Sequence, residues 1–335
     1  MSPTSPPTSP RQVLVTGGAG FIGSHLVELL LDRGDAVTVV DNLSTGRRAN
    51  LPAQHAGLRF IEADLSDALE AFGPGERFDE IYHLAAAVGV AKVMADPIGS
   101  IETNVGQTSA LLRFAAAHGR GPTGAPTLIA SSSEVYGKAA KSPFSEDDDV
   151  VYGPTTVTRW SYAGSKALDE YLALAWHERR ELPTVVVRFF NTVGPRQVGE
   201  YGMVLPRFVE AALAGQELLI HGDGGQSRCF ADVRDVVTAL PSLLASDACR
   251  GRVFNLGSDR SLTISELADV VISTLSSRSV KRHIAYSEVY PSGFEDLRQR
   301  KPDLSRVKSA IGYQPKHTLE QTIREIARQM ASLRP

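Results

Sequence analysis

Two residues of this chain could together take a proton from an alcohol. Tyr162 and Lys166 lie four positions apart in the segment WSYAGSKALDE, a spacing that places them on one face of a helix, about one turn apart. A phenol is a weak base at neutral pH. An ammonium about 4 Å away, at an effective dielectric near 20, favours the phenolate by about 4 kcal/mol, or nearly three pKa units, and burial opposes part of that. The spacing predicts a general base at Tyr162, although an ordinary amphipathic helix gives the same pattern.

A group of hydroxyls precedes this pair by about thirty residues in the sequence. Ser131, Ser132 and Ser133 end the run TLIASSS, and Glu134 follows in SEVYG. A hydroxyl at the end of such a strand could hydrogen-bond the alcohol that Tyr162 deprotonates. Taken alone, the three serines would be a polar strand end. Together with the Tyr162 segment they indicate chemistry on a secondary alcohol.

A third feature is a glycine-rich turn in residues 13–23, VLVTGGAGFIG, which a helical pattern follows. Gly17 permits the turn, Gly20 lets backbone N–H groups approach phosphates, and Gly23 lets helix and strand pack closely. A second strand, AVTVV, ends at Asp41, 24 residues after Gly17, where a carboxylate can accept hydrogen bonds from ribose hydroxyls. A purely structural glycine turn is the alternative. Asp41 favours NAD over NADP, because a 2′-phosphate would meet its negative charge.

Alternating strands and helices must position these residues. Helical patterns cover residues 24–33, 97–118 and 161–180, and between them lie the apolar runs VLVT, AVTVV, LRFIEA, EIYHLAA, TLIASSS and TVVVRFFN. Such alternation predicts a parallel sheet covered on both faces, with ligands bound beyond the carboxyl ends of the strands. The chemistry-bearing residues fall at those ends.

After about residue 190 the alternation breaks, and the chain reads as a smaller, interleaved lobe. A helix in this part begins at Thr263, with Glu266 three residues on, which predicts a capping box. The fold class is therefore α/β, a Rossmann-like doubly wound parallel sheet with a smaller C-terminal α/β substrate lobe. The predicted division is a disordered tail at 1–10, an NAD-binding domain at 11–190, and a substrate-binding lobe at 191–335 whose chain returns to the first domain near 229–260.

Composition narrows the class of protein. The 335 residues are 42% apolar and 22% charged, with a net charge of −3, which gives no electrostatic case for nucleic acid or an anionic membrane. No apolar run approaches the roughly 18 residues that span a bilayer, and the first ten residues lack the features of a signal peptide. Two cysteines, Cys229 and Cys249, form neither a disulfide framework nor a metal-ligand cluster, so we expect no metal and a cytoplasmic location.

On these motifs the chain resembles the extended short-chain dehydrogenase/reductases that act on nucleotide sugars. The resemblance covers about residues 12–330 and includes TGGAGFIG, HLAA, SSSEVYG, Tyr-x-x-x-Lys, RFFN-x-x-GPR and HGDGGQSRCFADVRD. It implies tightly bound NAD, which takes a hydride from sugar C4 and returns it. It also implies catalytic roles for Ser132, Tyr162 and Lys166. The implied cofactor contacts, besides Tyr162 and Lys166, are Gly17, Gly20, Phe21, Ile22, Gly23, Asp41, Asn42, Ser44, Gly46, Asp64, Leu65, Leu84, Ala85, Ala86, Asn104 and Phe190.

Three residues favour UDP-glucuronate as the substrate, with decarboxylation after oxidation at C4. Glu134 follows the serines as in the decarboxylases of this family, where 4,6-dehydratases have an Asp-Glu pair in place of Ser133 and Glu134. Arg300 in RQRKPDLSRV resembles a catalytic arginine of the decarboxylases, although arginines near this position bind the diphosphate throughout the family. Arg196 in NTVGPRQ could bind a carboxylate, but both decarboxylases and glucuronate 4-epimerases have it.

The resemblance also implies contacts to the rest of the nucleotide sugar. Asn191 and Arg228 would bind the diphosphate, and Val204, Leu205 and His221 would border the uracil. Val88 and Lys92 would face the hexose, in a loop that departs from the decarboxylases' usual Pro/Ser-rich version. All substrate contacts predicted are Val88, Lys92, Ser133, Glu134, Asn191, Arg196, Val204, Leu205, His221, Arg228 and Arg300.

The sequence thus predicts an NAD-dependent UDP-glucuronate decarboxylase that makes UDP-xylose. A UDP-glucuronate or UDP-hexose 4-epimerase is the nearest alternative, followed by a nucleotide-sugar 4,6-dehydratase. A non-catalytic NAD sensor is a different class, but it predicts a disrupted catalytic set, whereas this chain keeps every member. The family usually dimerises through two long helices, here about 97–118 and 161–180, so we expect a homodimer.

Overall fold

A parallel β-sheet of seven strands forms the centre of the computed structural model, which describes residues 9–86, 93, 95–199, 203–289 and 298–332. The strands lie in the order β11-β6-β5-β4-β1-β2-β3. They are β1 (Gln12–Thr16), β2 (Ala36–Asp41), β3 (Leu58–Glu62), β4 (Glu80–His83), β5 (Thr127–Ser132), β6 (Thr184–Phe189) and β11 (Arg252–Leu256).

Helices cover both faces of this sheet because both faces of its strands are apolar. One face packs against α1 (Phe21–Asp32) and α6 (Val233–Ala245). The other packs against α2 (Leu65–Ala71), α3 (Pro97–His118) and α4 (Trp160–Arg180). The sequence predicted β1 to β6 and the helices α1, α3 and α4, and the structure confirms them.

The order of the strands leaves a crevice above β1. From β1 the chain winds outward through β2 and β3, and then continues on the other side of β1 with β4. Loops from the carboxyl ends of β1 and β4 therefore run in opposite directions. Ligands of open α/β sheets bind at such a switch point.

Later parts of the chain build a second layer of small sheets beside that crevice. Their shared core joins Phe208, Leu267 and Ile323 from three helices with Ile220 from a strand. The elements are β7 (Thr192–Val193), α5 (Val204–Leu213), β8 (Leu218–His221), β9 (Ser227–Cys229), β10 (Ala231–Asp232), β12 (Ser261–Thr263), α7 (Ile264–Thr274), β13 (Lys281–Ile284), α8 (Tyr286–Val289), β14 (Gln299–Arg300), α9 (Ser305–Ile311) and α10 (Leu319–Ser332).

The predicted capping box is confirmed at the start of α7. The Thr263 side chain accepts a hydrogen bond from the Glu266 backbone N–H, and the Glu266 carboxylate accepts one from the Thr263 backbone N–H. These bonds satisfy donors that the first turn of a helix leaves unpaired. The proposed domain limits stay a prediction, and residues 1–8 of the predicted tail lie outside the described part of the chain.

Candidate active site

A cavity of about 670 Å³ opens over the carboxyl ends of β1, β4, β5 and β6 and extends to the second layer. It brings together most of the residues that the sequence singled out. Those that line it are Gly17, Gly20, Phe21, Ile22, Gly23, Asp41, Asn42, Ser44, Leu65, Leu84, Ala85, Ala86, Ser132, Ser133, Glu134, Tyr162, Lys166, Asn191, Val204, Leu205, His221, Arg228 and Arg300.

The glycine turn after β1 has the geometry that a dinucleotide requires. Gly17 has φ +70°, a conformation that favours glycine, and a Cβ at this position would lie 2.7 Å from the Ala85 backbone nitrogen. A Cβ at Gly23 would lie 2.2 Å from the Gly17 carbonyl oxygen. Gly20 immediately precedes α1 and lines the cavity. The N-terminus of α1 therefore faces the cavity. Because these glycines carry no side chains, the space in front of the helix stays open to a pyrophosphate.

Backbone N–H groups fix the Asp41 carboxylate at the end of β2. One carboxylate oxygen accepts a hydrogen bond from the Ala19 N–H at 2.9 Å, and the other accepts one from the Leu43 N–H at 2.8 Å. Each oxygen retains acceptor capacity toward the cavity. Gly46 and Asp64 do not line the cavity themselves: a Cβ on Gly46 would lie 3.0 Å from the Asp41 carboxylate, and Asp64 instead accepts a hydrogen bond from the Asn42 amide at 2.7 Å.

Tyr162 lies beside Ser132 at the base of the cavity. Burial and the neighbouring Glu134 carboxylate raise the pKa of the Tyr162 phenol, whereas its hydrogen bond with Ser132 lowers that pKa. The net direction is upward, whereas the spacing of Tyr162 and Lys166 predicted a lowering. The spacing placed the two side chains on one helix face, but it could not show which anion holds the ammonium.

That anion is Asp169, one turn further along α4. Lys166 Nζ lies 2.9 Å from the Asp169 carboxylate, and the two side chains are 3% and 0% exposed. Burial raises the pKa of Asp169, and Lys166 opposes that rise. A carboxylate so close offsets much of the ammonium's field at Tyr162.

Glu134 is enclosed by guanidinium groups. Arg300 Nη1 lies 2.7 Å from one Glu134 oxygen and 3.4 Å from the Ser133 hydroxyl, and Arg159 Nη2 lies 3.6 Å from the other Glu134 oxygen. Burial alone would raise the pKa of Glu134, but Arg300, Arg159 and Arg228 together hold the pKa below its usual value. One carboxylate among three guanidinium groups leaves a net positive surface that can bind a further anion.

Arg159 was not predicted from the sequence. Its side chain is 6% exposed, lines the cavity and also stacks on Trp160. The signal was available in the spacing: Arg159 comes three residues before Tyr162, and residues at that separation share a helix face. A lone arginine in a threonine-rich turn carries no motif, so it was not singled out.

The second layer supplies the opposite wall of the cavity. Arg228 on β9 pairs in parallel register with Arg300 on β14, so two guanidinium groups extend from neighbouring strands. Val204 and Leu205 begin α5, and the His221 ring lies 3.2 Å from an Arg207 nitrogen. Asn191 has φ +31°. This wall is therefore apolar at one end and cationic at the other.

Three residues predicted as contacts do not line the cavity. Phe190 is fully buried against Tyr136 and Phe144, and Phe189 lines the cavity in its place because successive side chains at a strand end point to opposite faces. Arg196 does not reach the cavity, since its guanidinium lies 2.5 Å from Glu28 on α1. The Asn104 amide donates to the Ser165 hydroxyl at 3.1 Å, and its predicted approach to the cofactor stays a prediction.

Two predicted contacts cannot be placed. Val88 and Lys92 lie outside the described residues. Within the described ranges, no group of three or more His, Cys, Asp or Glu side chains could hold a metal ion. No helix in the same ranges is long and apolar enough to cross a membrane.

Comparison with known proteins agrees with this geometry. Residues 14–326 match the family model described as GDP-mannose 4,6 dehydratase. The chain belongs to this family of extended short-chain dehydrogenase/reductases. A relative from Bacillus cytotoxicus, a UDP-N-acetyl-alpha-D-glucosaminuronate decarboxylase, is 40% identical over 94% of this chain and 96% of its own length. UDP-glucuronic acid decarboxylase 2 from Arabidopsis thaliana is 36% identical over 92% of this chain and 66% of its own length.

Solved structures of the family share the fold. The UDP-N-acetylglucosamine 4-epimerase of Methanobrevibacter ruminantium matches with a TM-score of 0.85 and 32% identity, over 97% of this chain and 99% of the other. The dTDP-glucose 4,6-dehydratase DesIV of Streptomyces venezuelae, solved with NAD and TYD bound, matches with a TM-score of 0.82 and 29% identity, over 96% and 97%. The predicted family and fold class are confirmed, and the chain is an enzyme of this family.

Proposed function

We propose that this enzyme is an NAD-dependent UDP-glucuronate decarboxylase that oxidises sugar C4, releases CO₂ and reduces the product to UDP-xylose. The Glu134 carboxylate, held between Arg300 and Arg159 beside Ser132 and Tyr162, is the observation that carries the proposal. An epimerase needs only the alcohol chemistry of Ser132, Tyr162 and Lys166. The added acid–arginine cluster suits a substrate that bears its own carboxylate.

The residues around the glycine turn fit NAD. Gly17, Gly20 and the start of α1 form a cradle that a Cβ would fill, and the fixed Asp41 carboxylate is suited to the adenosine ribose. The same carboxylate would repel a 2′-phosphate. Bound NAD supplies the acceptor and donor of a hydride at C4. The roles of Phe21, Ile22, Asn42, Ser44, Leu65, Leu84, Ala85 and Ala86 as its contacts are part of this proposal.

The chain's own residues move the protons. Tyr162 takes the C4 hydroxyl proton while Ser132 hydrogen-bonds the same oxygen, and Tyr162 returns the proton when the ketone is reduced. In the 4-keto acid the C6 carboxylate lies β to the new carbonyl, so the C5–C6 bond breaks as its electron pair enters the C4 carbonyl. CO₂ departs, and an enolate forms. Arg300 and Arg159 stabilise the negative charge, and a proton then adds at C5.

Contacts to the UDP group complete the proposal. Arg228 and Asn191 bind the diphosphate, and Val204, Leu205 and His221 border the uracil. Arg228 is 8% exposed, and its strand pairs with the strand of Arg300. It is therefore placed to bind phosphate oxygens close to Arg300.

A second substrate is supported by one comparison. The 40%-identical relative acts, by its name, on UDP-N-acetyl-alpha-D-glucosaminuronate. That sugar differs from UDP-glucuronate at C2 and keeps the carboxylate and the C4 alcohol. The same residues would therefore carry out the same steps, and the C2 substituent would decide which substrate is used.

One assay separates these possibilities. The purified enzyme is incubated with NAD and each UDP-uronate in turn, and released CO₂ and the UDP-sugar product are measured. We expect CO₂ and UDP-xylose in equal amounts from UDP-glucuronate. UDP-galacturonate without CO₂ would overturn the proposal in favour of the 4-epimerase. Faster turnover of UDP-N-acetyl-alpha-D-glucosaminuronate would identify that sugar as the substrate, and the proposed reaction would be unchanged.

We also propose that the enzyme is a cytoplasmic homodimer that joins through α3 and α4. These helices pack against each other and expose Ile98, Ile101, Leu168 and Tyr171, which are 70%, 40%, 50% and 66% exposed. The two pairs are each three residues apart, so each lies on one face of its helix. An apolar surface of this kind suits a second copy of the same pair of helices.

A further inference from the structure

The ion pair between Lys166 and Asp169 on α4 has a role that the proposed proton transfer at Tyr162 does not include. We propose that Asp169 is a positioning residue: it holds the Lys166 ammonium and offsets its field at Tyr162, and so sets the pH at which Tyr162 becomes a base. The inference rests on the proposed function only in requiring Tyr162 to take a proton from the substrate alcohol. It does not depend on which sugar is bound.

The geometry of the pair supports this role. Lys166 Nζ and the Asp169 carboxylate lie 2.9 Å apart, and neither side chain is more than 3% exposed. Lys166 lines the cavity, whereas Asp169 lies behind it. The carboxylate therefore holds the ammonium from the protein side. In so dry a site both charges act on Tyr162, and the carboxylate offsets part of the effect of the ammonium.

The charge of Asp169 also affects the pKa of the Tyr162 phenol. Asp169 and Glu134 both raise the pKa of Tyr162, and burial is the largest cause of that rise. Hydrogen bonding to Ser132 and the charge of Arg300 lower the pKa. Removing the Asp169 charge would leave Lys166 as an uncompensated cation near the phenol.

A polar chain continues behind the pair into the sheet. Thr108 on α3 faces Asp169 and lowers its pKa. The Thr108 hydroxyl also lies 3.2 Å from one nitrogen of the buried His83 ring, whose other nitrogen lies 2.7 Å from the Thr16 hydroxyl. Burial, and then Lys166, lower the pKa of His83 to about 3, so this ring stays neutral where the enzyme would be assayed.

Glu134 and the arginines around Tyr162 and this pair stay charged near neutral pH. The pKa of Glu134 is held low by its arginines, and guanidinium groups do not titrate in this range. The titratable and charged groups that face Tyr162, Lys166 or Asp169 from the packed elements are Glu134 after β5, Arg300 on β14, Glu170 on α4 and His83 on β4.

The test compares Asp169→Asn with wild type in the NAD-loaded enzyme. The amide keeps the size of the side chain and an acceptor for Lys166, but removes the charge. We expect the acidic limb of the pH profile of kcat/KM for UDP-glucuronate to move down by about one pH unit. Without substrate, the difference absorbance of tyrosinate that Tyr162→Phe abolishes should move by the same amount.

Two further variants control the experiment. Glu178→Gln removes a carboxylate from the same helix at a position whose side chain is 70% exposed, and it should leave both midpoints unchanged. Asp169→Glu keeps the charge and should keep a midpoint close to wild type. A folded Asp169→Asn variant that loses rate at every pH, with both midpoints unmoved, would show a structural role only and overturn the inference.

The double variant Lys166→Met/Asp169→Asn tests the inference if Asp169→Asn alone does not fold, because it leaves no unpaired buried charge. Without substrate, its Tyr162 tyrosinate midpoint should rise less than that of Lys166→Met, since the lost Asp169 charge offsets the lost ammonium. Equal rises in the two variants would overturn the inference. Because this titration needs no substrate, its result is independent of whether UDP-glucuronate proves to be the right sugar.

Discussion

At the scale of single residues, the site combines two arrangements with different purposes. In the proposed mechanism, Ser132 and Tyr162 act on the alcohol, and Glu134 with Arg300 and Arg159 acts on the carboxylate. The two arrangements meet because β5 ends at Ser132 and the next turn carries Glu134 directly into the cavity. A change at Glu134 should therefore separate oxidation from loss of CO₂.

Glu134→Gln tests that separation. The amide cannot provide the negative charge beside the substrate carboxylate, so CO₂ release should fall by on the order of a hundredfold. Oxidation at C4 uses Ser132 and Tyr162, so reduced cofactor should accumulate when UDP-glucuronate is added. Both are followed in one assay by gas release and cofactor absorbance.

Tyr162→Phe is the matched control for this prediction, because it removes only the phenolic oxygen and should abolish both signals. Unchanged CO₂ release from Glu134→Gln would remove Glu134 from the mechanism. Loss of both signals in Glu134→Gln would instead mean that this residue is needed for substrate binding or for the oxidation itself.

Several residue positions followed from the sequence, and others could not. Gly17, Asp41 and Tyr162 follow strands or mark helix faces, and local patterns fix such positions. Phe189 was missed in favour of Phe190 because a shift of one residue at a strand end exchanges the two faces. Arg196 was misplaced because its partner, Glu28, is distant in sequence.

At the scale of elements, the close contact of β1 with α1 determines whether the cofactor cradle can form. The space for a side chain at Gly23 is occupied by the Gly17 carbonyl oxygen, 2.2 Å from where a Cβ would lie. Backbone atoms cannot move aside cheaply, so even a methyl group should force the helix away from the strand.

We therefore expect Gly23→Ala to destabilise the fold by about 3 kcal/mol and to yield protein without bound NAD. Denaturant unfolding measures the first effect, and absorbance of the cofactor released from denatured protein measures the second. Gly73→Ala is the control, since nothing lies within 4 Å of a Cβ there. Normal NAD content in Gly23→Ala would show that the turn tolerates a wider separation.

A second element-scale prediction concerns Asp232, which caps α6 and ties it to α10. Its carboxylate accepts hydrogen bonds from the Arg234 backbone N–H at 2.8 Å, from the Arg234 guanidinium and from the Thr322 hydroxyl at 2.6 Å. Burial raises the pKa of Asp232, but these partners give a net lowering.

The stability that Asp232 contributes is present above the pKa of its carboxyl in the unfolded chain, about 3.9. It is lost as the pH falls through the lower pKa that this carboxyl has in the folded protein. Asp232→Asn should therefore cost about 2 kcal/mol at neutral pH and progressively less in acid. Urea unfolding of both proteins as a function of pH measures the difference. A gap that stays constant down to acid pH would show that charge plays no part.

The strand and helix pattern was predictable from the sequence, because continuous apolar runs and runs with period 3.6 depend on local spacing. The pairing of β9 with β14 was not, since these strands are three and two residues long and far apart in sequence. The Lys166–Asp169 ion pair could have been read from the i, i+3 spacing, but the sequence alone does not show that it is buried.

At the scale of the whole molecule, the exposed apolar surface of α3 and α4 should govern assembly. Replacing Leu168 and Tyr171 together by glutamate would place two charges in each copy of the proposed interface. We expect the variant to elute as a monomer in size-exclusion chromatography with light scattering, where the wild type elutes as a dimer.

Val280→Glu is the control for assembly, since Val280 is 59% exposed and lies beside β13, away from α3 and α4. It should leave the dimer intact. A wild-type protein that is already monomeric would contradict the proposed assembly, and an unchanged dimer in the double variant would place the interface elsewhere.

The pairing of Arg228 with Arg300 has a consequence for the choice of substrate. Their strands are hydrogen-bonded neighbours, so Arg228, which we propose binds the pyrophosphate, and Arg300, which contacts Glu134, are held by the same pair of strands. Glucuronic acid without its nucleotide would have no diphosphate for Arg228 to bind. Its carboxylate would then not be aligned with Arg300. Such a fragment should be turned over far more slowly even at concentrations that saturate the enzyme, because binding energy gained at the uridine end is used to align the reacting end.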